Sequence, residues 1–154
     1  MTVSVDVTEE VPELVKSAEA LFAEDAGSHD PRMDLGWPAR EGAAYYQDLV
    51  EDENALCLLA RSDGAVAGHL IGRLLPVSSL RPGAVRAVLE SMRVAAERRR
   101  EGVGEALVAA FVAWAKERGA NELAVQAYAN NEGALAFYRA QGFEPFEVRL
   151  GRAV

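Results

Sequence analysis

The 154-residue sequence is poor in the side chains that build disulfides and metal sites, with one cysteine and two histidines. Cys57 lies inside Ala55-Leu56-Cys57-Leu58-Leu59, where a small buried side chain is expected, and a single thiol makes neither a disulfide nor a zinc centre. His29 and His69 have no partner at metal-ligand spacing, so no metal is expected. Low-complexity tracts and internal repeats are absent. No apolar run approaches the length that spans a bilayer, and Met1-Thr2-Val3-Ser4-Val5-Asp6 lacks the basic start and apolar stretch of a targeting signal, which points to a cytoplasmic protein with no membrane partner. Positive charge is scarce in one part of the chain. Residues 1–60 carry 14 Asp/Glu against 3 Lys/Arg, net −11, and residues 61–154 carry 10 against 13, net +3, which together give the overall −8. With a pI near 4.8 and no broad basic stripe, nucleic acid is excluded as a partner.

Half the residues are hydrophobic and 26% charged, an ordinary globular balance, and the length suits one domain spanning 1–154 with one sizeable core. Val3-Ser4-Val5-Asp6-Val7 alternates at period two, as a strand does. A helix signal follows from Thr8, with Leu14, Val15, Ala18, Leu21 and Phe22 at helical spacing and an expected end near Gly27. Ser28 to Pro38 reads as a loop, and Glu41 to Glu51 as a second helix. Ala55–Arg61 and Ala65–Leu75 read as a hairpin about Asp63-Gly64. Val85–Val94 is the next strand. Val103, Leu107, Ala110, Phe111 and Trp114 mark a helix stopped at Gly119, Leu123–Ala127 a short strand, Glu132–Gln141 a short helix, and Phe143–Leu150 a last strand. The order βααβββαβαβ predicts a single α/β (α+β) domain with a mixed, mostly antiparallel sheet of six to seven strands and about four helices. The strands near 85–94 and 123–127 should lie parallel through a right-handed crossover.

The run Arg98-Arg99-Arg100-Glu101-Gly102-Val103-Gly104 stands between a strand and a helix. Guanidiniums, backbone exposed at glycine and the unpaired amides of a helix start together suit a phosphate group. It is not a dinucleotide fingerprint, since Leu107 stands where a third small residue belongs. It is not a nucleotide-triphosphate loop either, since no Lys-Ser/Thr pair follows. What remains is Arg99-x-x-Gly102-x-Gly104 opening a helix directly.

This pattern, after Met92-Arg93-Val94, resembles the acetyl-coenzyme A signature of the Gcn5-related N-acetyltransferase (GNAT) superfamily. A second stretch, Asn131-Glu132-Gly133-Ala134-Leu135-Ala136-Phe137-Tyr138-Arg139-Ala140-Gln141-Gly142-Phe143, is similar to the family's later motif. Ala96 departs from a proline common there. The resemblance covers 85–143 as the acetyl-coenzyme A core; it leaves 1–84 as the acceptor side, matched only in element order. It implies that Met92, Arg93 and Val94 line the pantetheine arm, with the Val94 N–H on the thioester oxygen. It further implies that Arg99, Arg100, Glu101, Gly102, Val103, Gly104 and Glu105 hold the pyrophosphate, and that Asn131, Ala134, Phe137 and Arg139 complete the coenzyme site.

Two residues are candidates for catalysis. Tyr138, by the family pattern, protonates the departing thiolate; periodicity alone favours a core aromatic. Glu90, an acid in Val88-Leu89-Glu90-Ser91-Met92, is expected on the same strand face as Met92 and Val94, either as a base or as an ion-pair partner of Arg73 or Arg86. Asn131 has a second role open to it as a helix N-cap. The expected activity is acetyl transfer from acetyl-coenzyme A to a primary amine of a small molecule or peptide. The acidic first part favours a cationic acceptor, with Trp37, Tyr45 and Tyr46 as candidate walls. A non-catalytic coenzyme A-binding sensor of the same fold is the alternative. A homodimer is compatible with the fold, although no residue fixes its interface.

Overall fold

A five-stranded sheet in the order β1-β2-β3-β4-β5 organises the structure, a computed structural model that describes residues 2–154. The strands are β1 (Val3–Val7), β2 (Ala55–Ser62), β3 (Ala65–Leu74), β4 (Arg86–Val94) and β5 (Glu122–Val125). The first four are antiparallel to their neighbours, and β4 and β5 are parallel, as the strand–helix–strand pattern requires. Asp63 and Gly64, at φ 50° and 85°, close the β2–β3 hairpin in the left-handed conformation that this turn demands.

Four main helices cover the sheet: α1 (Val11–Leu21), α2 (Trp37–Glu51), α3 (Val103–Glu117) and α4 (Glu132–Ala140). On one face α3 seals a core of Leu56, Leu58, Leu70, Ala87, Leu89, Leu107 and Phe111. On the other, α1 and α2 pack Leu14, Ala18, Tyr46 and Leu49 over Cys57, Leu59 and Ile71. These two sets are the apolar stripes of the helices and the alternate residues of the strands, as amphipathic periodicity dictates.

Three expectations are corrected. The first helix runs two residues past Gly27 and ends at His29, after a wide π turn at Phe22–Ala26, because Gly27 keeps a right-handed helical φ of −59°. The second helix starts at Trp37, earlier than Glu41, with Pro38 in its first turn, where a missing N–H costs nothing. The strand expected over Phe143–Leu150 does not form, so the sheet has five strands among the described residues and not six to seven. Beyond Phe143 the chain is exposed, with Phe146, Val148 and Leu150 at 81, 80 and 89%. Pro145 has no N–H for a ladder, and β5 offers an edge of only four residues.

Candidate active site

One extra residue in β4 shapes the site. In the β3–β4 ladder Ile71 faces Ser91 and Gly72 faces Leu89, so Glu90 is bulged out. Leu89 and Met92 therefore share the α3 face, while Glu90 and Ser91 both turn to the α1–α2 face. This corrects the simple alternation that set Glu90 beside Met92 and Val94. Beyond the bulge β4 also parts from β5. The parallel ladder ends at the Leu89–Val125 pair, although β4 continues to Val94. The Ala95 N–H donates to the Ala67 carbonyl of β3 at 2.8 Å. Because successive residues of a strand alternate sides, the backbone groups of Val94 and Met92 face the open side.

The phosphate-like run sits at the end of this gap. Arg100 has φ 67° and Gly102 φ 81°, two left-handed residues that swing the chain into α3. The first intrahelical bond is from the Ala106 N–H to the Gly102 carbonyl, 3.0 Å, which leaves the amides of Val103, Gly104 and Glu105 free of helical acceptors. Gly104 matters for space. A Cβ there would lie 3.1 Å from the Phe137 ring, so glycine lets α4 close over the helix start and against Val94. Ser62, fully buried in β2, donates to Glu101 at 2.6 Å, and Arg98 lies 3.9 Å from the same carboxylate, which ties the loop to the sheet. Arg100 and Arg139 are exposed, and Arg99 lies 4.0 Å from Glu24. The Arg93 side chain turns away from the gap to a two-point contact with Glu24, 2.8 and 3.2 Å.

On α4, Tyr138 packs edge-on between Phe137 and Phe143 at 5.4 and 5.9 Å. Burial, with a smaller contribution from Asp25, pushes its phenol up to about 12. Asn131 is the N-cap: its Oδ1 accepts from the Ala134 N–H at 3.1 Å, while its Nδ2 donates to Asp25 at 3.0 Å. Its amide is thus engaged at both ends, fastening α4 to the π turn. The roles of Glu24 and Asp25 are not legible in the sequence, because both sit among acids that resemble a solvated face.

Across the sheet lies a cavity of about 400 Å³ lined by Phe22, Met33, Asp34, Trp37, Tyr45, Tyr46, Glu90 and Ser91. Phe22 and Trp37 stack at 5.9 Å, and Trp37 meets Tyr45 edge-on at 5.2 Å. Glu90 accepts from Arg73 Nε at 2.6 Å and from the Tyr45 hydroxyl at 2.9 Å. The ion pair with Arg73 is therefore made, and Arg86 takes no part in it. Trp37 and Tyr45 are cavity walls; Tyr46, 4% exposed, also carries the core contacts expected of its helix face.

The gap beside Met92–Val94 and the free amides at the start of α3 are features of an acyl-coenzyme A-dependent transferase. The sequence profile of the Acetyltransferase (GNAT) family matches residues 18–143. An aminoglycoside N(6')-acetyltransferase type 1 of Stenotrophomonas maltophilia is 35% identical over 103 residues, 66% of this chain and 67% of that protein. Two solved structures share the fold: an aminoglycoside acetyltransferase from an uncultured soil metagenomic sample (TM-score 0.77, 24% identity, 100% and 99% of the two chains) and a transcriptional regulator from Bacillus halodurans C-125 (0.79, 23%, 99% and 100%). The chain belongs to the GNAT acetyltransferase family, and it is an acetyl-coenzyme A-dependent N-acetyltransferase.

Proposed function

We propose that this enzyme acetylates a primary amine of a polycationic amino sugar of the aminoglycoside type, within one domain whose residues 1–84 supply most of the acceptor site. The observation that carries the reading is the aromatic cavity with the Glu90 carboxylate in its wall, two residues before the open backbone of Met92–Val94. Aromatic faces and a carboxylate attract a cation, and the acidic residues of the first part steer it there. The name of the Stenotrophomonas maltophilia relative supports the same class of acceptor.

In this reading each residue has one task. The amides at the start of α3 and the exposed arginines hold the pyrophosphate. The coenzyme supplies the acyl group and a thiolate that can leave. Glu90 takes a proton from the acceptor ammonium through a water, which frees the nitrogen lone pair to form the new C–N bond. The Val94 N–H donates to the thioester oxygen as negative charge builds on it. Tyr138 meets the sulfur with its hydroxyl as the C–S bond breaks.

The test is a thiol-release assay with acetyl-coenzyme A and three amines: sisomicin, spermidine and a peptide with a free N-terminus. Release with sisomicin at the highest kcat/KM supports the reading; turnover confined to the peptide overturns its substrate class. A coenzyme A-binding regulatory module instead predicts coenzyme binding with no release. The exposed alternation of Phe146, Val148 and Leu150 supports a homodimer that covers it, and sedimentation at micromolar concentration reads that directly.

A further inference from the structure

His69 is fully buried in β3, where an apolar side chain would serve the core, and the chemistry above does not use it. Its ring bridges two hydroxyls: Ser17 of α1 lies 2.5 Å from Nδ1 and Ser91 of β4 lies 3.0 Å from Nε2. No buried side-chain polar atom is left unpaired among the described residues, so this chain of three is closed within the core. Ser17 is itself buried at 5%, whereas Ser91 is half-buried and forms part of the acceptor cavity wall. The bulge brings this about, since it turns Ser91 and Glu90 to the same side. His69 faces Arg93 in the ladder and so reaches Ser91 diagonally, two residues along the same face.

We propose that Ser91 is a second polar contact for the acceptor amine beside Glu90, and that His69 is a positioning residue that fixes the Ser91 hydroxyl for this task. The inference rests on the acceptor reading above. Burial holds the imidazole down at about 4, so at neutral pH it carries one N–H and one bare nitrogen. In the tautomer with its proton on Nδ1, the ring donates to Ser17 and the bare Nε2 accepts the Ser91 proton. Both lone pairs of Ser91 Oγ then face the cavity, where they accept an N–H of the amine. An unfixed serine would rotate among three rotamers and donate as readily as accept. A buried polar chain of this kind is costly unless fully satisfied, and here its one half-exposed end lies at the cavity.

The experiment is steady-state kinetics with the best-turned-over amine of the panel, combined with coenzyme A binding and thermal melts. Ser91→Ala should raise the acceptor KM about tenfold, with kcat and coenzyme A affinity within twofold, as expected for one lost hydrogen bond to a charged group. His69→Leu should raise KM to the same extent, and the double variant no further, because His69 acts through Ser91. His69→Gln, whose amide reaches the Nε2 position, should recover most of the wild-type KM, and it carries the comparison if His69→Leu does not fold. An unchanged KM in Ser91→Ala, or a product of two separate effects in the double variant, overturns the proposal alone. No turnover of any amine by the wild type overturns the acceptor reading, and this proposal with it.

Discussion

Replacing Tyr138 by phenylalanine removes one oxygen from the site and leaves the packing of the ring against Phe137 and Phe143 in place. The size of the effect follows from burial. A thiol ionises near 8.5 and a free phenol near 10, so proton transfer from an ordinary tyrosine to a departing thiolate is uphill by roughly 2 kcal/mol. With Tyr138 pushed up to about 12, the gap widens to roughly 3.5 units, or about 5 kcal/mol. The full proton therefore does not cross early. The hydroxyl instead donates a hydrogen bond to sulfur that strengthens as charge accumulates, and such bonds to charged groups are worth about 1.5–3 kcal/mol.

Tyr138→Phe should accordingly lower kcat by about 10- to 150-fold. Coenzyme A affinity should stay within twofold, because the proposed function has the amides at the start of α3, not Tyr138, hold the pyrophosphate. The assay is thiol release at saturating acceptor, paired with calorimetric titration of coenzyme A. Unchanged kcat removes Tyr138 from the mechanism. A loss beyond ~10⁴-fold refutes the magnitude argument, since it would require proton transfer to be nearly complete in the transition state.

Three further outcomes are expected. Glu90→Gln should lower kcat/KM by about 10²-fold or more and move the acidic limb of its pH profile; an unmoved limb assigns Glu90 to the Arg73 ion pair alone. His69 is depressed from about 6.5 to about 4 on folding, so the unfolded chain binds its proton first as pH falls. The associated stability is present above pH 6.5 and is lost toward pH 4, about 3 kcal/mol in all; unfolding free energies from urea titrations at pH 7 and pH 4 should differ by that much less in His69→Gln. Gly68→Ala would set a Cβ 2.1 Å from the Arg93 carbonyl, a backbone atom that cannot yield without parting β3 from β4. A drop in Tm of ~10 °C is expected, together with loss of coenzyme A binding, and a melt within 2 °C of wild type would contradict it.

The readable parts of this protein were those written in local chemistry. Helical periodicity with glycine stops gave α3 and α4, whose ends at Gly119 and Gly142 are left-handed at 81° and 94°. The Asp63-Gly64 turn gave the hairpin, and the parallel pair followed from the crossover rule. What stayed hidden depends on partners across the sheet. A strand expected over Phe143–Leu150 needs an edge to pair with, and alternation alone cannot report whether that edge exists. Ser91 carried no signal of its own. His69 carried a faint one, a polar residue in the apolar stretch Ala67–Ile71, which could have marked a buried hydrogen-bond chain.

Glu90 shows why the remainder could not be read from spacing. Period two places residues 88, 90, 92 and 94 together, and it fails here because Glu90 is one residue more than β3 can pair. The same extra residue has two effects. It turns Glu90 and Ser91 to the aromatic cavity while Met92 and Val94 stay on the α3 side of the sheet, so the two faces meet at consecutive residues. It also bends β4 at the point where the ladder to β5 ends, which exposes the Met92 and Val94 backbone. A bulge thus puts a carboxylate on one face of the sheet within a few residues of an amide at its open edge. Removing it by deleting Glu90 should restore plain alternation and extend the β4–β5 pairing. The fold should survive as judged by its melt, while both acceptor and coenzyme affinity are lost; retention of either affinity would separate the two effects.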